Sequence, residues 1–150
     1  MLGRARGLLA GIWAGWLLCV AALATPAAFA LLPQADAGRL AGRMLAQEAY
    51  SALVFGVVLL VMERVLARRA AADGTGSQFS LGMMLVLGAL FCTVAGYFAL
   101  QPMMVAARAG QGSLSFAQLH ALSAGFYLVK LLLVLALAWR NTVLSPSPSS

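Results

Sequence analysis

LHALSAGFYLVKLLLVLALAW, residues 119–139, is an apolar stretch long enough to form a helix that crosses a lipid bilayer. A spanning helix needs about 20 predominantly apolar residues, with a tolerated range of about 17–25. Three further apolar runs, at residues 7–32, 50–66 and 79–100, reach or exceed this range. These four runs, rather than any catalytic or binding motif, decide the fold.

The composition of the chain supports a membrane protein. Apolar residues make up 63% of the 150 residues and charged residues only 9%, whereas a soluble domain carries about 25% charged residues. The net charge of +6 comes from arginines at the ends of apolar runs and not from a basic face interleaved with aromatic residues. We therefore predict an integral protein in contact with the lipid bilayer, with no nucleic-acid partner.

Short gaps separate the four runs, and short connections make neighbouring helices antiparallel. The predicted fold class is all-α: a polytopic membrane protein with an antiparallel four-helix transmembrane bundle over residues 1–140. Residues 141–150 contain the sequence SPSPSS and are predicted to form a disordered polar tail.

The segment between the first two runs, QADAGRLAGRMLAQEAY at residues 34–50, is amphipathic if it is helical. Asp36, Arg39, Arg43 and Gln47 share one arc, which predicts a short amphipathic helix on the periplasmic surface. Glu48 falls within the apolar arc. Its carboxylate faces either the bundle or the interface, and the pattern leaves both open.

The arginines predict the topology, because cytoplasmic loops carry an excess of basic residues. With a cytoplasmic N-terminus, six arginines fall on the cytoplasmic side and three on the other: Arg4, Arg6, Arg64, Arg68, Arg69 and Arg140 against Arg39, Arg43 and Arg108. The prediction is a bacterial inner-membrane protein with both termini in the cytoplasm.

The first run carries a ladder of small residues, Gly7, Gly11 and Gly15, at intervals of four. Such a face allows close helix packing, either inside the bundle or between two copies of the chain. A homo-oligomer or another membrane-protein partner therefore stays open. Pro26 lies near the outer end of the same run and is expected to kink it.

The fourth run contains a polar stripe, His120, Ser123, Tyr127 and Lys130, spaced by three, four and three residues. At about 100° per residue these side chains share one helix face, and ionisable residues within a span usually face the bundle and have partners. We expect Lys130 to point inward and to pair with Glu63, the one acidic residue predicted in the inner half of the bundle.

Further polar residues can face this stripe from the second and third runs: Glu48, Glu63, Thr93, Tyr97 and Gln101. Three interpretations follow. The stripe stabilises the packing of the helices, forms a proton or ion path or a small polar cavity, or supplies a copper(I) site in which His120 acts with Met103, Met104 and Met44. The sequence has no metalloprotease, hydrolase, nucleotide-binding or CxxC motif. We expect no catalytic residues and no cofactor.

Several motifs resemble one family: Gly11, Gly15 and Trp16, then TPAAF at 25–29, AGRLAGRMLAQEAY at 37–50, and Leu119, His120 and Ser123. The chain is similar to the transmembrane protein 205-like family (domain of unknown function 4149). The resemblance implies a small four-helix membrane protein and supplies no catalytic residues. We therefore expect a non-enzymatic structural or accessory component of a membrane assembly, with a small-solute, proton or metal-handling protein as the alternative.

Overall fold

The computed structural model describes residues 1–143, and every regular element in this part of the chain is helical. Helix α1 spans Leu2–Leu31, α2 spans Gln34–Ala72, α3 spans Leu81–Arg108 and α4 spans Phe116–Val143. The predicted tail at 141–150 overlaps the end of α4, and its residues 144–150 lie outside the described part of the chain.

All four helices are long and apolar enough to cross a membrane, which indicates a multi-pass membrane protein. Each is longer than the apolar run predicted for it; even the shortest has 28 residues, about 42 Å at 1.5 Å per residue, against a hydrocarbon core of about 30 Å. The helices therefore extend beyond their most apolar segments, because backbone hydrogen bonding continues where the side chains become polar.

The amphipathic segment at 34–50 is the first part of α2 and not a separate helix. Pro33 precedes the first residue of α2, and one helix of 39 residues then continues to Ala72. No proline interrupts this segment, so nothing in the sequence forces a break where the chain enters the bilayer. Ala37, Ala41 and Glu48 are buried, which places the apolar arc against the other helices.

Helices α1 and α3 each contain a π-helical segment, Cys19–Ala24 and Val94–Ala99. Each segment comes shortly before a proline, Pro26 in α1 and Pro102 in α3. Proline lacks an N–H and clashes with the preceding turn, and a π segment is one way for a helix to absorb that disturbance. The distortion expected at Pro26 takes this form, and α3 carries a second one that the sequence reading did not identify.

One apolar core joins all four helices. Its buried members are Ala10, Trp13, Ala14 and Leu17 of α1, Ala52 and Leu59 of α2, Val86 and Ala89 of α3, and Val134 and Leu137 of α4. Trp13 stacks on Phe55, with ring centroids 6.0 Å apart. The largest side chain of α1 that is fully buried thus packs directly on α2.

Glycines mark the closest approaches between helices. A Cβ atom would collide with the facing side chain at three of them, in the pairs Gly56 with Leu90, Gly82 with Glu63, and Gly96 with Phe126. These contacts join α2 to α3 and α3 to α4.

The predicted ladder on α1 is not one of these approaches. A Cβ at Gly11 or Gly15 would meet no described atom within 4 Å, and a Cβ at Gly7 would make only an ordinary contact with Asn141. Helix α1 instead turns inward the face that carries Ala10, Trp13, Ala14 and Leu17. Packing inside the bundle therefore accounts for Gly7 at most, and Gly11 and Gly15 are exposed.

Candidate functional site

Lys130 of α4 and Glu48 of α2 form a buried ion pair. The Lys130 Nζ atom donates to Glu48 Oε1 at 2.8 Å and to Oε2 at 2.7 Å. Lys130 is 3% exposed and Glu48 is 2% exposed. The prediction that Lys130 points inward is confirmed, but the prediction that it pairs with Glu63 is wrong.

The direction of helical side chains explains this correction. Arg6, at the start of α1, contacts Glu63, and Gly7 lies beside Asn141, so the late parts of α2 and α4 share one end of the molecule. Side chains lean toward the N-terminus of their own helix. The stem of Lys130 therefore leans away from that end and toward Glu48 in the first half of α2.

Glu63 has a different partner, which the sequence reading treated only as a topology signal. The Arg6 Nη1 atom lies 3.2 Å from Glu63 Oε1 and 3.3 Å from Oε2, and the Ser80 hydroxyl donates to Oε2 at 3.4 Å. A signal for this pair existed, because Arg6 precedes the buried Ala10 and Trp13 by four and seven residues. That spacing puts all three on one helix face.

Two hydroxyl groups of the α4 stripe bind backbone carbonyls of the π-containing helices. Tyr127 donates to the Leu17 carbonyl at 2.9 Å, and Ser123 donates to the Gly96 carbonyl at 2.7 Å. The Tyr127 ring also contacts the ammonium of Lys130, with 4.6 Å from Nζ to the ring centroid. The stripe thus fastens α4 to both interrupted helices.

Thr93 does not join this network in the expected way. It is 1% exposed, and its hydroxyl donates to the carbonyl of Ala89, one turn earlier in its own helix, at 2.9 Å. The hydroxyl therefore has its hydrogen-bond acceptor within its own helix, as threonine side chains commonly do.

A cavity of ≈ 220 Å³ adjoins this network. Five of the polar residues predicted from the sequence line it: Tyr97, Gln101, His120, Ser123 and Tyr127. The remaining lining residues are Ala21, Thr25, Gly42, Leu45, Met104 and Ala124. All four helices contribute, and the parts contributed by α1 and α2 were missed because their placement depends on helix packing.

His120 lies at the exposed side of this cavity. Its ring stacks on the ring of Phe116, with centroids 5.9 Å apart. The guanidinium of Arg108 lies 4.4 Å from the centroid of the same Phe116 ring. His120 is thus held by an aromatic neighbour on its own helix and remains accessible to a molecule in the cavity.

The suggested copper(I) ligands are only partly brought together. Met104 lines the same cavity as His120, whereas Met103 lines a different depression beside Leu119, and Met44 is not among the cavity's lining residues. Over the described residues, no group of three or more histidine, cysteine, aspartate or glutamate side chains could hold a metal ion.

The fold and the site together define a multi-pass membrane protein with a buried ion pair and a small cavity that polar and apolar side chains line. The family model for DUF4149, a domain of unknown function, matches residues 8–113. The chain therefore belongs to this family, and the predicted membership of the family of domain of unknown function 4149 is confirmed. The match covers α1 to α3 almost completely and ends before α4, which carries His120, Tyr127 and Lys130.

Comparisons with curated proteins and with solved structures found no match.

Proposed function

We propose that this protein is a non-enzymatic membrane protein that binds a small, uncharged, hydrogen-bonding molecule in the cavity next to Tyr127. The observation that carries the proposal is the convergence of five polar side chains from α3 and α4 on a space bordered by all four helices. At ≈ 220 Å³ the cavity is below the range of about 300–1,000 Å³ typical of drug-sized ligands, so the ligand is small.

The lining supports an uncharged ligand. None of the described residues that line the cavity carries a fixed charge, and hydroxyl, amide and imidazole groups alternate with alanine, leucine and methionine. Lys130 and Glu48 lie behind Tyr127 and neutralise each other. A charged ligand would therefore find no counter-ion in the wall.

The π segments add further support. Ala21 belongs to Cys19–Ala24 and Tyr97 belongs to Val94–Ala99, so both segments border the cavity. Such segments occur frequently at functional sites. Here they place backbone irregularity where it lines a cavity, which is where membrane proteins tolerate it.

The proposal also assigns the arrangement in the membrane. The contacts of Arg6 with Glu63, of Gly56 with Leu90 and of Gly96 with Phe126 support an antiparallel four-helix bundle. The arginine distribution supports the bacterial inner membrane with both termini in the cytoplasm. The cavity then lies in the periplasmic half.

Reporter fusions test this topology. A reporter fused after Gly74 should behave as cytoplasmic and one fused after Gly110 as periplasmic, because these glycines lie in the loops on opposite sides of α3. The reverse result at both positions would place the cavity on the cytoplasmic side.

A second candidate is an accessory component of a membrane assembly. The buried pair of Lys130 with Glu48 favours it, because it needs no ligand to neutralise it, and the exposed Gly11 and Gly15 offer a face that a partner helix could approach.

Native mass spectrometry of the detergent-purified protein, combined with metal analysis and a visible spectrum, distinguishes the two. Binding predicts a retained small molecule that Ala124→Phe displaces and Ala121→Phe does not, because Ala124 lines the cavity and the exposed Ala121 does not. An empty wild-type protein, or equal retention in both variants, would favour the accessory role.

A further inference from the structure

A second cavity, of ≈ 330 Å³, lies at the opposite end of the bundle, near the start of α1 and the end of α4. Its wall includes the loop between α2 and α3. The polar residues that line it are Arg6, Glu63, Thr75, Ser77, Ser80 and Arg140. It shares no lining residue with the cavity at His120, and its assignment rests on the proposed function only for the cytoplasmic placement of this end.

Two arginine donors in this wall are buried and unused. Arg6 Nε and Arg140 Nη1 are inaccessible and have no hydrogen-bond partner among the described residues. Arg6 uses Nη1 for Glu63, while Nε stays free. A buried donor without an acceptor costs roughly 1–3 kcal/mol, and more when it is charged, so these groups require an explanation.

The charges of the wall indicate what would satisfy them. Arg6 offsets the carboxylate of Glu63 at 3.2 Å, which leaves the guanidinium of Arg140 as the net charge of the cavity. The hydroxyls of Thr75 and Ser80 already donate to the Ala70 carbonyl and to Glu63. The missing group must therefore accept hydrogen bonds and carry negative charge.

The position of the cavity relative to the bilayer indicates that the negatively charged acceptor is a phosphate group. Trp139, next to Arg140, is 74% exposed, and tryptophan is enriched at the headgroup level of the bilayer. Arg64, Arg68 and Arg69 belong to the same end of α2. Arginine binds phosphate through its planar array of donors, and basic pockets between helices on this side of a membrane bind anionic headgroups.

We infer that this cavity binds one phosphate group, supplied by an anionic phospholipid headgroup or by free phosphate, through the guanidinium groups of Arg140 and Arg6. Glu63 stays neutralised by Arg6 and limits the site to a single anion.

The first experiment measures lipid retention. The full chain is reconstituted in vesicles of equal phosphatidylglycerol and phosphatidylcholine and released for native mass spectrometry. We expect one retained phosphatidylglycerol per chain, with about tenfold preference over phosphatidylcholine. Arg140→Gln should abolish the preference. Arg68→Gln should keep it, because this exposed arginine at the same end loses the same charge without lining the cavity.

The second experiment measures thermal unfolding in micelles with phosphatidylcholine only, in sodium phosphate against sodium chloride of equal ionic strength. A response to phosphate without lipid preference identifies free phosphate as the ligand. Lipid preference, with or without that response, identifies the headgroup. If Arg140→Gln does not fold, Ala70→Leu replaces it, because it fills the cavity wall without changing a charge. The inference is overturned if the wild type shows neither lipid preference nor a response to phosphate. It is also overturned if Arg140→Gln and Arg68→Gln lose that preference or response equally.

Discussion

The two buried carboxylates of this protein, Glu48 and Glu63, each pair with a cation, but the two cations differ in type and in exposure. Glu48 receives two short hydrogen bonds from Lys130, and both partners are almost fully buried. Glu63 meets Arg6 at longer distances, and the side chain of Arg6 is 14% exposed. The lysine ammonium has three donors and the guanidinium five. Two of the three ammonium donors bind Glu48, whereas the Nε donor of Arg6 is buried and has no hydrogen-bond partner among the described residues.

The largest effect is expected for Lys130→Met. Removing the ammonium leaves the Glu48 carboxylate buried without a partner, and breaking one side of a buried pair costs about 3–5 kcal/mol. Combining Lys130→Met with Glu48→Gln should restore a large part of this loss. Unfolding in mixed micelles measures both.

Glu63→Gln in the Lys130→Met background is the matched control and should simply add its own cost. A rescue by Glu63→Gln instead of Glu48→Gln would show that the pairing described here is wrong.

A smaller loss is expected for Arg6→Gln, roughly 1–3 kcal/mol, because the pair with Glu63 is partly exposed and Ser80 still donates to the carboxylate. The same unfolding assay applies, with Arg4→Gln as the control because Arg4 is exposed on the same turn of α1. Equal losses for Arg4→Gln and Arg6→Gln would make the effect one of net charge.

Tyr127→Phe should cost about 0.5–1.5 kcal/mol, because it removes one hydrogen bond to the Leu17 carbonyl and keeps the ring against Lys130. Tyr50→Phe serves as the control, since Tyr50 is exposed. A loss as large as that of Lys130→Met would mean that the hydroxyl, rather than the ion pair, holds α4 in place.

The smallest effect is expected for His120→Ala, below about 0.5 kcal/mol, because the side chain is exposed and stacks only on Phe116. Copper loading under reducing conditions should leave the wild type and this variant equally free of stoichiometric metal. Copper bound to the wild type and absent from His120→Ala would instead establish a metal site with Met104 as a neighbour.

The sequence predicts the class of protein well, because four apolar runs of this length are typical of helices that cross a lipid bilayer. It also predicts that Lys130 needs an internal acceptor. The identity of that acceptor depends on the lean of side chains along α2 and α4 and on which helix ends meet. Residue counting along each run cannot supply these directions.

About half of the residues that line the cavity could be predicted from the sequence. Its α3 and α4 walls follow from polar spacing, since Tyr97 and Gln101, like Ser123 and Tyr127, recur at four residues. Thr25 and Gly42 carry no periodic signal and reach the cavity only through helix packing. Arg6 was hidden for another reason, because an arginine at the end of an apolar run is first interpreted as a topology signal.

The π segments also govern the phase of the helices that contain them. A π turn closes its hydrogen bond one residue later than an α turn, so each segment acts as a one-residue insertion that rotates everything beyond it by about 100°. In α3 the segment Val94–Ala99 lies between the core residues Val86 and Ala89 and the cavity residues Gln101 and Met104. The phase offset allows one helix to present a packing face at one end and a cavity-lining face at the other. Deleting a single residue there would rotate the cavity-lining face away from the cavity by about 100° while leaving the packing face unchanged.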